Sequence, residues 1–261
     1  MRAAATRIDR MVLEDLHRSA ARITGALRLE LNPADRDGWI DRETLRNPET
    51  APFADLHARF VAAGFACNRR AAAASLLLRY GWAAGFQIAA WLETGMVLQL
   101  DRFALKFSQS TLIEAVWAQE ARIIEPSSLE EGRHLLLNSL LDFTEPLVDS
   151  QHQWSRFSRH ALWSMVVSSW AAQFATIGER LGRREEATRE AEAVFSLNAE
   201  IAQAAPETYA VSVGTRSRVC QKRAACCLYY KGPAKHYCVS CPIIPREERL
   251  ERNRDFTCVA G

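Results

Sequence analysis

Six of the seven cysteines in this 261-residue chain lie beyond residue 219, and that asymmetry constrains its folding more than any other feature. Cys67 stands alone in the first 205 residues. Cys220, Cys226, Cys227, Cys238, Cys241 and Cys258 share the end of the chain with Gly232, Pro233, Pro242 and Pro245. Proline removes backbone donors and glycine weakens helix and strand alike, so long regular elements do not fit there. The chain therefore divides into a body, residues 1–205, and a small irregular cysteine-built module, residues 206–261.

The body reads as mainly helical. Leu136, Leu140, Phe143 and Leu147 recur at helical spacing after the turn-like Pro126-Ser127-Ser128, and Pro146 is expected to end or kink that helix. Residues 71–93, rich in Ala and Leu without proline, and residues 183–203, where Glu185 precedes Arg189 and where Val194, Leu197 and Ile201 share one face, read as two more. Between residues 95 and 108 the pattern alternates. Leu98 and Leu100, then Phe103, Leu105 and Phe107, flank a polar Asp101-Arg102, which predicts a hairpin turning there. Tyr209, Val211 and Val213 predict a short strand at the entry to the cysteine module. The fold class expected is α+β: a mainly helical body, a small β element and an irregular C-terminal module. With 48% hydrophobic and 25% charged residues the composition is that of a folded globular chain, which excludes disorder and coiled coil.

Two uncharged stretches invite a membrane reading, residues 80–92 and 161–178. A spanning helix needs about 20 predominantly apolar residues. The first stretch follows Arg79 and the second contains Ser164, Ser168, Ser169 and Gln173, so both read as buried bundle helices. Gly81 and Gly85, four apart in the first, read as a place of close helix contact. Residues 1–18 carry charges every few positions with no apolar run, which does not read as a secretory signal and points to the cytoplasm.

Cys226 and Cys227 are adjacent, ten residues follow, and Cys238 and Cys241 form a C-x2-C pair running into Pro242. The Lys231-Gly232-Pro233 spacer can fold the first pair back on the second, so four thiolates can converge on metal. Disulfides fit poorly, because the cysteine count is odd and cytoplasmic thiols stay reduced. Zinc and iron–sulfur both remain open on spacing alone. Closed zinc sites favour two C-x2-4-C knuckles, whereas a binuclear iron cluster needs two thiolates on each iron. Cys220, Cys67 and Cys258 read as ordinary thiols, and His236 as a residue near the site rather than a ligand.

Lys222 through Tyr230, with Cys226-Cys227-Leu228-Tyr229-Tyr230, followed by Cys238-Val239-Ser240-Cys241-Pro242, resembles the terminal signature of the FhuF family of ferric-siderophore reductases, C-C-x10-C-x2-C. Chain length and terminal placement agree with that family as well. The resemblance implies a [2Fe-2S] cluster held by Cys226, Cys227, Cys238 and Cys241, with no catalytic residue beyond these ligands. It implies one-electron reduction of siderophore-bound Fe3+ with release of Fe2+, a ferric siderophore of hydroxamate type as substrate, and a siderophore-binding region in the body. The match covers about a tenth of the chain, and the substrate groove does not carry over.

Between Glu207 and Glu247 there is no carboxylate, while Arg216, Arg218, Lys222, Arg223, Lys231, Lys235 and Arg246 are cationic. Such a field stabilises the more negative reduced state of a cluster and attracts an acidic electron donor such as a ferredoxin or flavodoxin. Basic residues beside Tyr229, Tyr230 and Tyr237 also describe a zinc-stabilised module binding nucleic acid or protein. The near-neutral net charge of +2 and the adjacent cysteines argue against nucleic acid, and the tyrosines serve as cover for a cluster. No P-loop, G-x-G-x-x-G or H-E-x-x-H occurs, so electrons are expected from a separate protein, with membrane contact at most peripheral.

Overall fold

The computed structural model describes residues 6–7, 27–233 and 235–259. The elements are β1 (Thr6–Arg7), β2 (Arg28–Glu30), β3 (Trp39–Asp41), α1 (Arg42–Arg46), α2 (Ala51–Ala62), α3 (Arg69–Ala83), α4 (Gly85–Thr94), β4 (Val97–Phe107) and β5 (Ile113–Ile124). After them come α5 (Leu129–Ser155), α6 (Arg159–Arg180), α7 (Arg184–Phe195), α8 (Ala199–Ala204), β6 (Glu207–Val213), β7 (Arg216–Lys222), a 3-10 turn (Tyr229–Lys231) and α9 (Arg246–Val259). The reading of residues 1–18 as lacking a signal falls almost wholly outside the described residues.

The architecture is α+β and mainly helical. One sheet runs β1-β5-β4-β3, with β2 joined in parallel to the same β5, and a separate antiparallel ribbon is made of β6 and β7. Helix α6 occupies the centre and is packed against α3, α4, α5, α7 and α8. Apolar on every side, it buries Trp163, Val166, Val167, Trp170 and Phe174 completely, as an interior helix must. Among the described residues no helix is long and apolar enough to cross a membrane.

The polar residues of α6 serve its neighbours. Ser169 Oγ donates to the Leu78 carbonyl at 2.6 Å, and Gln173 Nε2 donates to the Trp82 carbonyl at 3.0 Å. Helix α3 lies so close that a Cβ at Gly81 would meet Ser169 Cβ at 2.8 Å and the Val166 carbonyl at 2.9 Å. Gly81 is therefore the point of close helix contact.

Four details depart from expectation. Residues 71–93 form two helices: the chain breaks at Ala84, where a Cβ on Gly85 would strike Gln173, and Gln173 caps the carbonyl that the break exposes. Residues 183–203 also divide, because Asn198 Oδ1 accepts from the N–H groups of Glu200 and Ile201 and starts α8 afresh. Pro146 does not end α5, which continues to Ser155. Proline lacks the N–H that would satisfy the Asp142 carbonyl four residues back, and Arg42 Nη1 donates to that carbonyl at 3.4 Å instead. Tyr80 donates to the next one, Phe143, at 2.8 Å.

The last departure concerns Asp101-Arg102, which is a bulge inside one long strand rather than a hairpin turn. The β4–β5 register slips between Leu100 and Phe103, so Leu98, Leu100, Phe103 and Leu105 are all buried although their spacing is not strictly alternate. Each bulge residue finds a charge on β5: Asp101 pairs with Arg122 at 2.7 Å and Arg102 with Glu120 at 2.9 Å. The turn lies instead between β4 and β5, where Ser108 N–H donates to the Leu112 carbonyl.

Candidate metal centre

The Tyr209-Val211-Val213 alternation forms β6, paired residue for residue with β7. Beyond Lys222 the chain enters residues 223–245, where the one helical element among the described residues is the 3-10 turn. With no ladder to join, this backbone is satisfied one bond at a time. Arg223 N–H donates to the Ser240 carbonyl at 3.0 Å, and Cys241 N–H donates to the Cys238 carbonyl at 3.1 Å, which closes the C-x2-C turn. Ala225 N–H donates to Ser164 Oγ of α6 at 2.9 Å, tying the segment to the body.

Helix α9 holds the other side. Arg249 Nη1 donates to the Cys241 and Ile244 carbonyls at 3.4 and 3.1 Å, Arg252 Nη1 to Tyr237 at 2.9 Å, and Asn253 Nδ2 to Val239 at 2.9 Å. Leu228 takes a left-handed backbone with φ of 61°, uncommon outside glycine. Its N–H thereby donates to Cys226 Sγ at 3.3 Å.

These constraints bring the two halves of the cysteine pattern together. Cys227 Sγ lies 4.0 Å from Cys238 Sγ, and Cys226 and Cys238 both lie near enough to Cys241 to oppose its ionisation. Cys227 and Cys241 are buried, Cys226 and Cys238 half-buried. The Cys227 thiol is pushed up, first by its hydrogen bond to Cys238 and then by burial. Cys238 is pulled down to about 5: the bond from Cys227 outweighs burial, and the Arg223 guanidinium and Ser240 add to it. Arg223 Nη1 lies 3.5 Å from Cys238 Sγ. Burial raises Cys241.

Two sulfurs on one tetrahedral metal, with bonds of about 2.3 Å, stand about 3.8 Å apart. The Cys227–Cys238 spacing of 4.0 Å is close to that edge. The four-thiolate donor set suits a binuclear iron cluster with two thiolates on each metal, and also the four ligands of one zinc. Among the described residues, no three His, Cys, Asp or Glu side chains converge tightly enough to hold a single ion.

Cys220 sits apart from the four, buried on β7 opposite Tyr209, and burial raises its thiol. Cys67 is exposed. The side chain of Cys258 lies outside the described residues. His236 is exposed and meets Tyr229 edge-on at 5.2 Å. Tyr230 stacks on Tyr237 at 4.9 Å, and Tyr229 stacks on Phe65 of the body at 6.2 Å.

The seven cations do not form one uniform patch. Arg223 points inward to Cys238, Lys222 pairs with Glu207 at 3.3 Å, and Lys231, Lys235 and Arg246 are exposed. Arg216 and Arg218 line a cleft beside β7. An eighth cation comes from the body. Buried Arg79 lies 4.3 Å from the Phe65 ring, on which Tyr229 stacks, and burial lowers it to about 10. Its sequence signal was a charge at the edge of an apolar run. The supporting roles of Ser164, Arg249, Arg252 and Asn253 had no comparable signal.

No protein-family model matches the chain, and no curated protein matches it in sequence. The resemblance to the FhuF family thus rests on the cysteine pattern and its place in the chain.

Proposed function

We propose that this protein is a ferric-siderophore reductase whose four cysteines, Cys226, Cys227, Cys238 and Cys241, hold a [2Fe-2S] cluster. The observation that supports it most directly is the approach of Cys227 to Cys238, which joins the two halves of the pattern at 4.0 Å. When bound, such a cluster supplies one electron at a time, and Fe3+ reduced to Fe2+ is held far less tightly by anionic oxygen chelators.

The chain's own residues prepare the site for negative charge. Arg223 donates to Cys238 Sγ, which favours thiolate over thiol there, and the Leu228 N–H donates to Cys226 Sγ. Donors of this kind also stabilise whichever redox state carries more negative charge. The stacked Tyr230 and Tyr237 and the docked Tyr229 limit access of water and oxygen. Exposed Lys231, Lys235 and Arg246 suit an encounter with an acidic protein donor such as a ferredoxin or flavodoxin. The cytoplasm, where thiols stay reduced, is the compartment this chemistry needs.

Anaerobic purification and metal analysis test the reading. The expected protein is red-brown, contains about two irons and two sulfides per chain, and gives an S = 1/2 signal on one-electron reduction. Cys→Ser at 226, 227, 238 or 241 is expected to lose the cluster, and Cys67→Ser to keep it. Stoichiometric zinc without a chromophore would replace this reading with a zinc-stabilised binding module.

A further inference from the structure

A cleft of about 900 Å3 is lined by α6, the β6–β7 ribbon and α9. Its lining includes the small residues Ala171, Ala172 and Ala175 together with Trp82 and Phe256, which have 41% and 44% of their surface exposed. Four arginines line it, Arg184, Arg216, Arg218 and Arg223, against one carboxylate, Glu179. Arg184 lies 3.7 Å from Glu179 and donates to the Ser217 carbonyl, and Arg218 lies over the Phe256 ring at 4.4 Å. The lining includes Cys220 and meets the cysteine segment through Arg223, Val239 and Ser240. Arg223, only 9% exposed, lines the cleft while its Nη1 reaches Cys238, and its buried Nε has no hydrogen-bond partner. Ser240, also in the lining, supplies the carbonyl that receives the Arg223 N–H.

We infer that this cleft is the acceptor site and that it takes a ferric chelate of net negative charge, oxygen-rich and of small-molecule size. The inference rests on the reductase reading for the words "ferric" and "acceptor"; the cleft's preference for an anion rests on its lining alone. Three hydroxamates neutralise Fe3+, so a tris-hydroxamate complex offers four arginines no net charge. A chelate built from catecholates or carboxylates remains anionic around the same metal and presents charged oxygens to guanidinium forks. Its aromatic or flat parts have the half-exposed Trp82 to lie against. A cluster held by these cysteines would supply one electron, the chelated Fe3+ would become Fe2+, and the complex would become one unit more negative. Arg216 and Arg218 would therefore stabilise the reduced chelate more than the oxidised one, whatever its starting charge, whereas Arg223 faces the ligand sulfur of Cys238. The acidic protein donor then restores the electron.

Gallium(III) complexes separate binding from reduction, because gallium mimics Fe3+ and accepts no electron under these conditions. Calorimetric titration of the anaerobic holoprotein should show binding of gallium tris-catecholate, gallium citrate or both, with the neutral gallium tris-hydroxamate at least about tenfold weaker. Which anionic complex binds tells catecholate from carboxylate. Arg216→Gln and Arg218→Gln should each weaken anion binding about tenfold, and Arg218→Lys should restore part of it. The difference from the parent should shrink as salt is raised. Circular dichroism melting shows whether a variant is folded, and the lysine variant keeps the test decisive if a glutamine variant is not. Equal or tighter binding of the neutral complex, or unchanged anion binding in all arginine variants, overturns the inference. If anionic chelates bind as described and their ferric counterparts are never reduced, the cleft's anion preference stands and the reductase reading fails.

Discussion

The α3–α6 seam and the segment 223–245 are held together by different physics. Along the seam, glycines and alanines let two helices approach until Gly81 has no room for a Cβ, and buried aromatic and aliphatic side chains fill the rest. Stability there is spread over many small contacts and over helical hydrogen bonds that each residue makes for itself. In the segment almost no backbone group has a regular partner. Ser164, Arg249, Arg252 and Asn253 satisfy those groups from outside, each by one or a few directed bonds. A region of the first kind resists loss of any single bond but not loss of volume. A region of the second kind opens locally when one donor is removed, and it gains most from whatever binds its cysteines.

The largest effect should come from volume. Trp170 is fully buried, 6.0 Å from Trp163 and 6.4 Å from Phe195 by ring centroids. Trp170→Ala should cost about 4 kcal/mol in global unfolding by denaturant titration. If only the C-terminal segment loosens while the body keeps its midpoint, the contrast between the two regions is wrong.

The next effect tests whether the body has a weak polar point of its own. His57 is 6% exposed between Phe53 and Trp154, at 4.2 and 4.3 Å, with neither ring nitrogen hydrogen-bonded, and burial lowers its pKa from 6.5 to about 4. The folded state thus resists a proton that the unfolded chain accepts. Stability is full above pH 6.5 and is lost as pH falls toward 4, by about 3 kcal/mol in all. His57→Phe should flatten that part of the pH–stability curve, and an unaltered slope would assign the loss to other groups.

Asn253 probes the segment. Its Nδ2 donates to the Val239 carbonyl at 2.9 Å, the Arg249 carbonyl at 2.7 Å and the Tyr209 hydroxyl at 3.2 Å. Asn253→Ala should lower the cost of opening residues 237–245 by about 2 kcal/mol, an increase of about thirtyfold in their amide exchange. The global midpoint should scarcely move. Uniform acceleration across the body would show that the two regions unfold as one.

Much of the body was legible because hydrophobic period is a local signal. The helix carrying Leu136, Leu140, Phe143 and Leu147, the strand of Tyr209, Val211 and Val213, and the close contact at Gly81 all follow from neighbours in sequence. What the sequence concealed depends on partners far along the chain. Residues 71–93 break because Gln173 fits under Gly85, and the strand through Asp101-Arg102 persists because Arg122 and Glu120 wait on β5. Ser164, Ser169 and Gln173 looked only like polar interruptions of an apolar helix, yet each covers a backbone group of another element. At the cysteines the spacing led to the expectation that four thiolates converge, and the structure shows one close approach, Cys227 to Cys238 at 4.0 Å. The spacing could not reveal that Cys227 is the one that comes within 4.0 Å of Cys238, or that Leu228 beside it takes a left-handed backbone.

The smallest effect concerns a place where the body is built like the segment. At Pro146 the helix lacks a donor, and the Asp142 carbonyl is served by Arg42 from outside. This bond is long and exposed, so Arg42→Leu should cost only about 0.5 kcal/mol through it. Arg42 also lies over the Phe103 ring at 5.6 Å and beside Glu43 at 3.5 Å, so the single variant alone cannot isolate the term. Pro146→Ala restores the N–H that belongs to the helix. In that background the Asp142 carbonyl has its own partner, and Arg42→Leu should lose only its ring and ion-pair contributions. The difference between the two costs, measured as a double-mutant cycle, is the worth of the borrowed bond. A coupling of zero would mean that water already satisfies that carbonyl, and that external donors matter only where water is shut out, as it is around Cys227 and Cys241.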